Sequence, residues 1–401
     1  MFKLRKYQQE AVDKSLDFYQ FGDHKEKPII VAPTGSGKSL VIAYTAKEVA
    51  EGVLVLQPSK ELLEQNFEKY KSYGAEASIY SASLKQKEIG SVTFATIGSV
   101  KNLASEFQHV KLIIIDECHL VPPSTDKFDK KGQLLKAGSM YTKFLIGLPE
   151  AKVIGLTATP FRLKKYLNPW TRAPFAQINL LNRELPRFFN RFLHVTQISE
   201  LYEQGFLCPI RYVPMTWDTG KLVVNTTGSE YTDKSIEDAL KQQKINVQLP
   251  AIVKQSREKG RKHSIVFVFS VNDAIELAEK TPDSDYVSAY TELKDRERII
   301  KDFKNGKIKT LYNVNVLTIG FDFTALDTII IARPTMSLAL YMQMIGRGIR
   351  PHPGKKDCVV VDMCGNIARF SEIENIKYLQ DNNGKWMIHD GKKVLSGVPI
   401  K

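Results

Sequence analysis

The chain has 401 residues, 43% of them hydrophobic and 25% charged, which excludes a disordered or fibrous protein and leaves room for two domains, each with its own core. A formal net charge of +13 and a pI near 9.3 favour a polyanionic partner, although a basic protein with no such partner fits the charge equally well. Four cysteines (Cys118, Cys208, Cys358 and Cys364) make no CxxC pair and have no histidine at finger-like spacing. That points to reduced thiols in a cytoplasmic protein and against a zinc site.

Residues 1–12 lack the long apolar core of a signal peptide. The apolar runs at 112–115 and 328–332 are too short to cross a bilayer, so no membrane partner is expected and both read as buried strands.

In chain order, an apolar run at 28–32 predicts a strand, followed by a helix from Lys38. The run 52–57 leads into a helical pattern at 59–70, and 91–95, 112–116 and 152–156 are further strands. The same rhythm returns later. A strand at 264–270 precedes a helix at 272–280, a charged helix at 293–305 precedes a strand at 310–314, and 328–332 precedes a helix at 337–346 before a last strand at 357–362. Strands alternating with helices predict an α/β protein with two parallel-sheet domains in tandem. The expected division is a first domain at 1–195, a connecting segment at 196–260, a second domain at 261–370 and a polar, weakly patterned tail at 371–401.

The chemistry begins at Ala32-Pro-Thr-Gly-Ser-Gly-Lys-Ser39, between a strand and a helix. Gly35 and Gly37 let the loop through Pro33, Thr34 and Ser36 curl so that the backbone N–H groups that follow Pro33 face a phosphate chain, and the helix N-terminus adds partial positive charge. Lys38 is placed to reach the β- and γ-phosphates, and the Ser39 hydroxyl to hold Mg²⁺. Leu112-Ile-Ile-Ile-Asp-Glu-Cys-His119 supplies the second half of an NTPase site. A buried strand ends in Asp116, a Mg²⁺ ligand directly or through water, and Glu117, which would orient and deprotonate the attacking water.

Seven motifs then occur in order: Leu4-Arg-Lys-Tyr-Gln-Gln-Glu10, the phosphate loop, Gln57-Pro-Ser-Lys-Glu61, Asp116-Glu-Cys-His119, Thr157-Ala-Thr-Pro160, Ile319-Gly-Phe-Asp322 and Gln343-Met-Ile-Gly-Arg-Gly-Ile-Arg350. The set resembles that of superfamily 2 helicases, over roughly residues 4 to 365. The resemblance implies two RecA-like domains with ATP in the cleft between them. It implies that Gln8, with Arg5, reads the adenine edge and favours ATP over GTP. It assigns coupling of hydrolysis to motion to His119, Thr157 and Thr159, a γ-phosphate or water sensor to Gln343, arginine fingers to Arg347 and Arg350, and nucleotide contacts to Gly320 and Asp322. Strand-facing candidates at family positions are Ser59, Lys60, Thr96, Ser99, Arg162, Ser270, Thr291 and Thr318, with a plain cap or turn role as the alternative reading of any one of them.

Closer stretches, residues 5–12, 157–162, 313–322 and 343–355, resemble the RadD group of bacterial DNA repair helicases and phage recombination helicases of the UvsW kind. That resemblance implies a DNA partner of branched form, action beside recombination proteins, and a bacterial or phage-infected cytoplasm. The chain lacks the cysteine-rich, zinc-binding end of RadD proteins, which fits a shorter, phage-type version. An RNA helicase, the translocase subunit of a restriction system, and a degenerate motor that only binds are the alternatives.

Residues 160–191 hold seven Lys or Arg against the single acid Glu184, interleaved with Phe161, Tyr166, Trp170, Phe175, Phe188 and Phe189. These are the ingredients of a strand-binding groove or wedge, or of a core where the segment docks. Residues 241–262 hold seven more basic residues against Glu258, either a helix beside the nucleic acid or a solvated basic face. Alternation at 211–231, with turns near Asp218 and Gly228, predicts a β-hairpin that would serve as a strand-separating pin.

Overall fold

The protein is described from a computed structural model, which covers residues 3–123, 127–128, 134–136, 139–172, 174–226, 228–317 and 323–399. It divides into two compact units: Met1–Arg162 with Asn179–Gln197, and Leu163–Ile178 with Ile198–Lys401.

The first unit carries helix α1 (Lys6–Phe21), strand β1 (Pro28–Val31), α2 (Lys38–Val49), β2 (Val53–Gln57), α3 (Lys60–Lys71), β3 (Ser78–Ser81), β4 (Gln86–Lys87), β5 (Val92–Thr96), α4 (Ile97–Val100) and β6 (Leu112–Ile115). Two short strands, β7 (Lys127–Phe128) and β8 (Leu134–Lys136), pair with each other before α5 (Met140–Ile146) and β9 (Lys152–Thr157). After β9 the chain runs out along β10 (Phe161–Leu167), returns along β11 (Pro174–Leu180), and re-enters the first sheet as β12 (Arg191–Val195).

That sheet has the order β12-β1-β9-β6-β2-β5-β3-β4. Every described pair in it is parallel except β3 with β4. Ile30, Val55, Phe94, Ile114 and Ile154 form its buried centre with Ala43, Ala46 and Leu63 from the covering helices. Runs such as Leu112–Ile115 are buried along their whole length, as strands covered on both faces must be.

The second unit holds α6 (Ile198–Glu203), β13 (Ile210–Pro214), α7 (Asp233–Gln242), α8 (Ile245–Glu258), β14 (Ser264–Phe267), α9 (Val271–Lys280), β15 (Ser284–Val287), α10 (Leu293–Lys304), β16 (Thr310–Asn313) and β17 (Thr328–Ile331). It continues with α11 (Leu338–Gly346), β18 (Cys358–Asp362), α12 (Asn366–Phe370), β19 (Lys377–Gln380) and β20 (Trp386–His389). Its main sheet, β13-β18-β17-β14-β16-β15, is wholly parallel. Both units are RecA-like α/β domains, as expected.

Three expectations change. The segment at 196–260 is not a separate connector. Ile210–Pro214 joins the second sheet at its edge, and Ile236, Leu240, Ile245, Leu249 and Val253 from α7 and α8 sit in the core of that unit. So the basic run at 241–262 covers a helix whose apolar face is spent on packing. Over the described part of 211–231 the expected hairpin shrinks to a short turn, with an antiparallel bridge between Val224 and Tyr231, the Asn225 N–H donating to the Glu230 carbonyl (2.8 Å) and the Thr232 N–H to the Val223 carbonyl (2.7 Å). The longer paired strands of this region are β10 and β11. The tail is also folded: β19 and β20 pair antiparallel, and Tyr378, Ile388 and Leu395 are buried.

Candidate nucleotide site and nucleic-acid contacts

The carboxyl ends of β1, β9 and β6 are neighbours in the first sheet, and the phosphate loop, Thr157 and Asp116 stand at those ends. The loop curls through Gly35 and Gly37, both at φ 81, and α2 starts directly after it. At Gly37 a side chain is excluded twice, because a Cβ there would lie 2.6 Å from the Gln8 Nε2 atom and the backbone is left-handed. The Ala32 N–H donates to the Thr157 carbonyl (3.0 Å), which ties the start of the loop to β9.

Gln8 is buried beneath the loop. Its Nε2 donates to the Ser36 carbonyl (2.7 Å), its Oε1 accepts the Arg5 N–H (2.9 Å), and the Tyr7 hydroxyl donates to the same carbonyl (2.8 Å). The amide predicted to read adenine therefore also braces the loop, a role that Tyr7 shares and that motif reading missed. An amide nitrogen carries two hydrogens and an amide oxygen two lone pairs; the Ser36 carbonyl and the Arg5 N–H take one of each, and the remaining donor and acceptor match the N7 and N6 edge of adenine. The Ser36 hydroxyl is buried without a partner among the described residues.

Asp116 and Glu117 are adjacent carboxylates in different surroundings. Asp116 accepts from Asn66 Nδ2 (2.8 Å) and from the Glu117 N–H (2.9 Å). Burial, then the Glu117 charge, push its pKa up to about 6 against the opposing pull of Lys38 and these bonds. Glu117 adopts φ 47, uncommon for a residue with a side chain. Its Oε1 lies 3.2 Å from Lys38 Nζ and its Oε2 lies 3.3 Å from His119 Nδ1. Burial works the other way, yet the Lys38 charge and the His119 contact hold Glu117 well below the ordinary carboxylate range. The pair thus divides into an ionised Glu117 and an Asp116 that holds its proton more tightly.

His119 Nδ1 also sits 2.8 Å from Thr157 Oγ1, and that oxygen accepts the Thr159 N–H (3.0 Å). A continuous path therefore runs from Lys38 through Glu117 and His119 to Thr157 and Thr159, which brings the expected coupling residues together. Asn66 was not foreseen. It is a polar side chain among Leu62, Leu63 and Tyr70 on the buried face of α3, and a polar residue in an apolar stripe is the signal that could have found it.

In the second unit Gln343 and Arg347 lie a helical turn apart at the end of α11, with Arg350 three residues on, and Arg347 is buried. Lys355 Nζ donates to the carbonyls of Gly348 (2.6 Å), Arg350 (3.1 Å) and Thr324 (3.3 Å), closing the loop that carries Arg350. Thr318, Gly320 and Asp322 lie outside the described residues.

The strand-facing candidates divide. Ser59 caps α3 by accepting from Leu62, and Ser270 caps α9 by accepting from Asp273. Lys60 opens α3 beside its cap. Thr96 and Ser99 share a hydrogen bond (2.8 Å), and Ser99 accepts the Ala82 N–H. Thr291 accepts the Ser288 N–H. Arg162 is turned inward: Nε donates to the His119 carbonyl (2.8 Å), one amino group to Glu184 (2.9 Å) and the other to the Val121 carbonyl. That placement makes Arg162 a brace for the turn after Asp116 and does not fit a phosphate contact.

Residues 1–162 match the family described as type III restriction enzyme, res subunit, and residues 243–352 match the helicase conserved C-terminal domain. The chain belongs to the superfamily 2 helicases. The chain is 25% identical over 384 residues to a Saccharomyces cerevisiae protein named "Putative ATP-dependent helicase IRC3", across 90% of this chain and 51% of that protein. It is 26% identical over 342 residues to a 51.5 kDa protein of a Lactococcus phage, across 83% of this chain and 65% of that one. The chain therefore spans about half to two thirds of the length of these curated relatives. Among solved structures, the ATP-dependent type ISP restriction-modification enzyme LlaBIII bound to DNA shares the fold, with a TM-score of 0.63 at 13% identity, over 90% of this helicase and 28% of that chain. Among the described residues, no helix is long and apolar enough to cross a membrane.

Proposed function

We propose that this chain is an ATP-driven DNA motor that remodels branched DNA, namely forks, Holliday junctions and D-loops, in recombination, repair or replication. The observation that carries the motor part is the path Lys38–Glu117–His119–Thr157, in which a phosphate-loop lysine, a water-activating carboxylate and the coupling residues share one set of contacts. The net charge of +13 supports a polyanionic track. The branched form is supported by the resemblance of residues 5–12, 157–162 and 343–355 to RadD and UvsW proteins.

The hydroxyl of Ser39 and the carboxylate of Asp116 are hard oxygen donors, and the rigid hold of Asn66 on Asp116 suits Mg²⁺. When bound there, Mg²⁺ neutralises phosphate charge. Glu117, kept ionised, takes the proton of the attacking water. Lys38 exchanges its Glu117 contact for the phosphates, so phosphate binding frees the base it prepares for. His119 holds the other Glu117 oxygen and passes its position to Thr157. Arg347 and Arg350 supply positive charge to the leaving phosphates. Gln343, Gly320 and Asp322 complete the nucleotide contacts.

The test compares ATP-dependent processing of a fork, a Holliday junction, a D-loop and an RNA duplex at one salt concentration. Processing of the DNA junctions well above the RNA duplex is expected, and preference for RNA would overturn the DNA reading. A second reading, a duplex translocase that does not separate strands, is favoured by the restriction-subunit match of residues 1–162. It predicts displacement of a triplex-forming strand without fork unwinding.

A further inference from the structure

Trp170 stands at the tip of the β10–β11 hairpin and is 87% exposed. Phe161 and Phe189 of the same basic, aromatic segment are buried, and Tyr166 stacks on Phe175 with ring centroids 5.8 Å apart. Of the six aromatics interleaved with basic residues in this segment, Trp170 is the one left fully outside. The other two tryptophans, Trp217 and Trp386, are partly buried.

The tip is built to hold it there. Asn168 Oδ1 accepts the N–H groups of Trp170 (2.9 Å) and Thr171 (3.0 Å), and the Asn168 carbonyl accepts the Arg172 N–H (2.9 Å). Arg172 closes the turn at φ 58. Along the arms, Lys165 donates to the Thr226 carbonyl, and Ala176 lies in the core of the second unit. Exposure alone is ordinary for a single surface ring; a ring set on a braced turn among basic residues is a ready stacking platform.

The surroundings select that ligand. Residues 160–183 contain no Asp or Glu, and Lys164, Lys165 and Arg172 lie on the hairpin with Trp170. Glu184, the first acid after them, faces inward to Arg162. A flat ring on a hairpin whose own charged residues are all basic fits a planar base carried on a phosphate chain. A single ring on a narrow turn fits a base better than it fits a bilayer, which is met by a broad apolar face.

We propose that Trp170 stacks on a base at the boundary between paired and unpaired DNA, making β10–β11 the pin of this motor. The inference rests on the DNA reading above. It also moves the pin from residues 211–231 to the hairpin that follows Thr157–Pro160.

The test uses the full chain and its W170A and W170F variants, with a twenty-nucleotide oligo-dT and a forked duplex as probes. Because Trp170 is exposed, both variants should melt with the wild type. Oligo-dT should quench the wild-type tryptophan emission, and W170F should lose most of that quench. W170A should bind oligo-dT about tenfold more weakly and lose fork unwinding, while W170F keeps most of both. ATPase at saturating DNA should change little in either variant. Stimulated ATPase in the wild type together with full unwinding by W170A overturns the pin alone. A wild-type ATPase indifferent to DNA overturns the DNA reading and the pin with it. Quenching by phosphatidylglycerol vesicles but not by DNA overturns the pin in favour of a lipid surface.

Discussion

Lys38 Nζ lies 3.2 Å from Glu117 Oε1, so the lysine meant for phosphate and the carboxylate meant for water hold each other. The contact keeps Glu117 ionised and gives Lys38 a place to return to between turnovers. Lys38→Ala should abolish ATP turnover while leaving nucleic-acid affinity near the wild-type value. Glu117→Gln should lower kcat by about 10²–10⁴-fold, the usual contribution of a general base, and still bind nucleotide. ATPase assays beside binding of a fluorescent ATP analogue distinguish the two; retained turnover in Glu117→Gln would remove Glu117 from the role of base.

Gln8 carries two duties that a pair of substitutions can separate. Gly37→Ala places a Cβ 2.6 Å from Gln8 Nε2 on a left-handed backbone, so the loop must shift and the KM for ATP should rise at least about tenfold. Gln8→Ala removes one of the two donors on the Ser36 carbonyl and leaves Tyr7. It should raise the KM for ATP and reduce the preference for ATP over GTP. Steady-state rates with both nucleotides decide this, since an unchanged preference would leave Gln8 as a loop brace only.

The central strands of both sheets were legible because each is a short β-branched or apolar run buried on both faces, as in Leu112–Ile115 and Thr328–Ile331. The strands nearer the edges, such as Arg191–Val195 and Ser284–Val287, are less buried and were not foreseen. The phosphate loop was legible because its glycines and lysine stand at a fixed spacing. Ile210–Pro214 was misread because an edge strand has mixed exposure and copies the alternation of a hairpin arm. The tail escaped because its buried apolar residues, Ile373, Ile376, Tyr378, Ile388 and Leu395, keep to neither the helical nor the strand period. Ser59 and Ser270 show a further limit, since a serine before a helix looks the same whether it caps that helix or meets a phosphate.

Arg162 shows that sequence reveals charge but not direction, for its partner Glu184 is 22 residues away. The Glu184 side chain is only 7% exposed, and removing Arg162 leaves that carboxylate without its ion-pair partner. Arg162→Ala should cost about 3–5 kcal/mol of stability, as broken buried pairs do. Arg162→Lys should recover only part of it, because one ammonium cannot reproduce a fork that serves Glu184 and the carbonyls of His119 and Val121. The slope of DNA affinity against salt should stay unchanged. Denaturant melts and salt titrations are the measurements; an undisturbed melt with weakened DNA binding would return Arg162 to the strand path.

His194 offers a pH test of the first sheet. Burial, with the nearby Lys14 charge adding to it and Glu10 opposing, holds its pKa below the usual histidine value. A histidine depressed in the folded state stays neutral there while the unfolded chain takes up a proton. Its contribution is therefore present above the unfolded value near 6.5 and is lost as pH falls through the folded value. Stability should drop between pH 7 and pH 5, and His194→Gln, which cannot titrate, should show a smaller drop. Thermal melts across that range suffice, and equal slopes would mean that other groups carry the acid sensitivity.

Arg350 and Lys355 make a final, linked prediction. Lys355 ties the Arg350 carbonyl to those of Gly348 and Thr324, so the loop bearing the proposed finger is held from behind. Arg350→Ala should lower kcat by about 10³–10⁵-fold, the range of an arginine finger, with little change in KM. Arg350→Lys should not rescue it, because a point charge lacks the planar fork. Lys355→Met keeps the length of the side chain but frees the three carbonyls, so Arg350 loses its fixed position and kcat should fall about tenfold. The split between kcat and KM is decisive. If Arg350→Ala raised KM and spared kcat, Arg350 would be a nucleotide-binding residue, and Lys355 would serve the stability of the second unit alone.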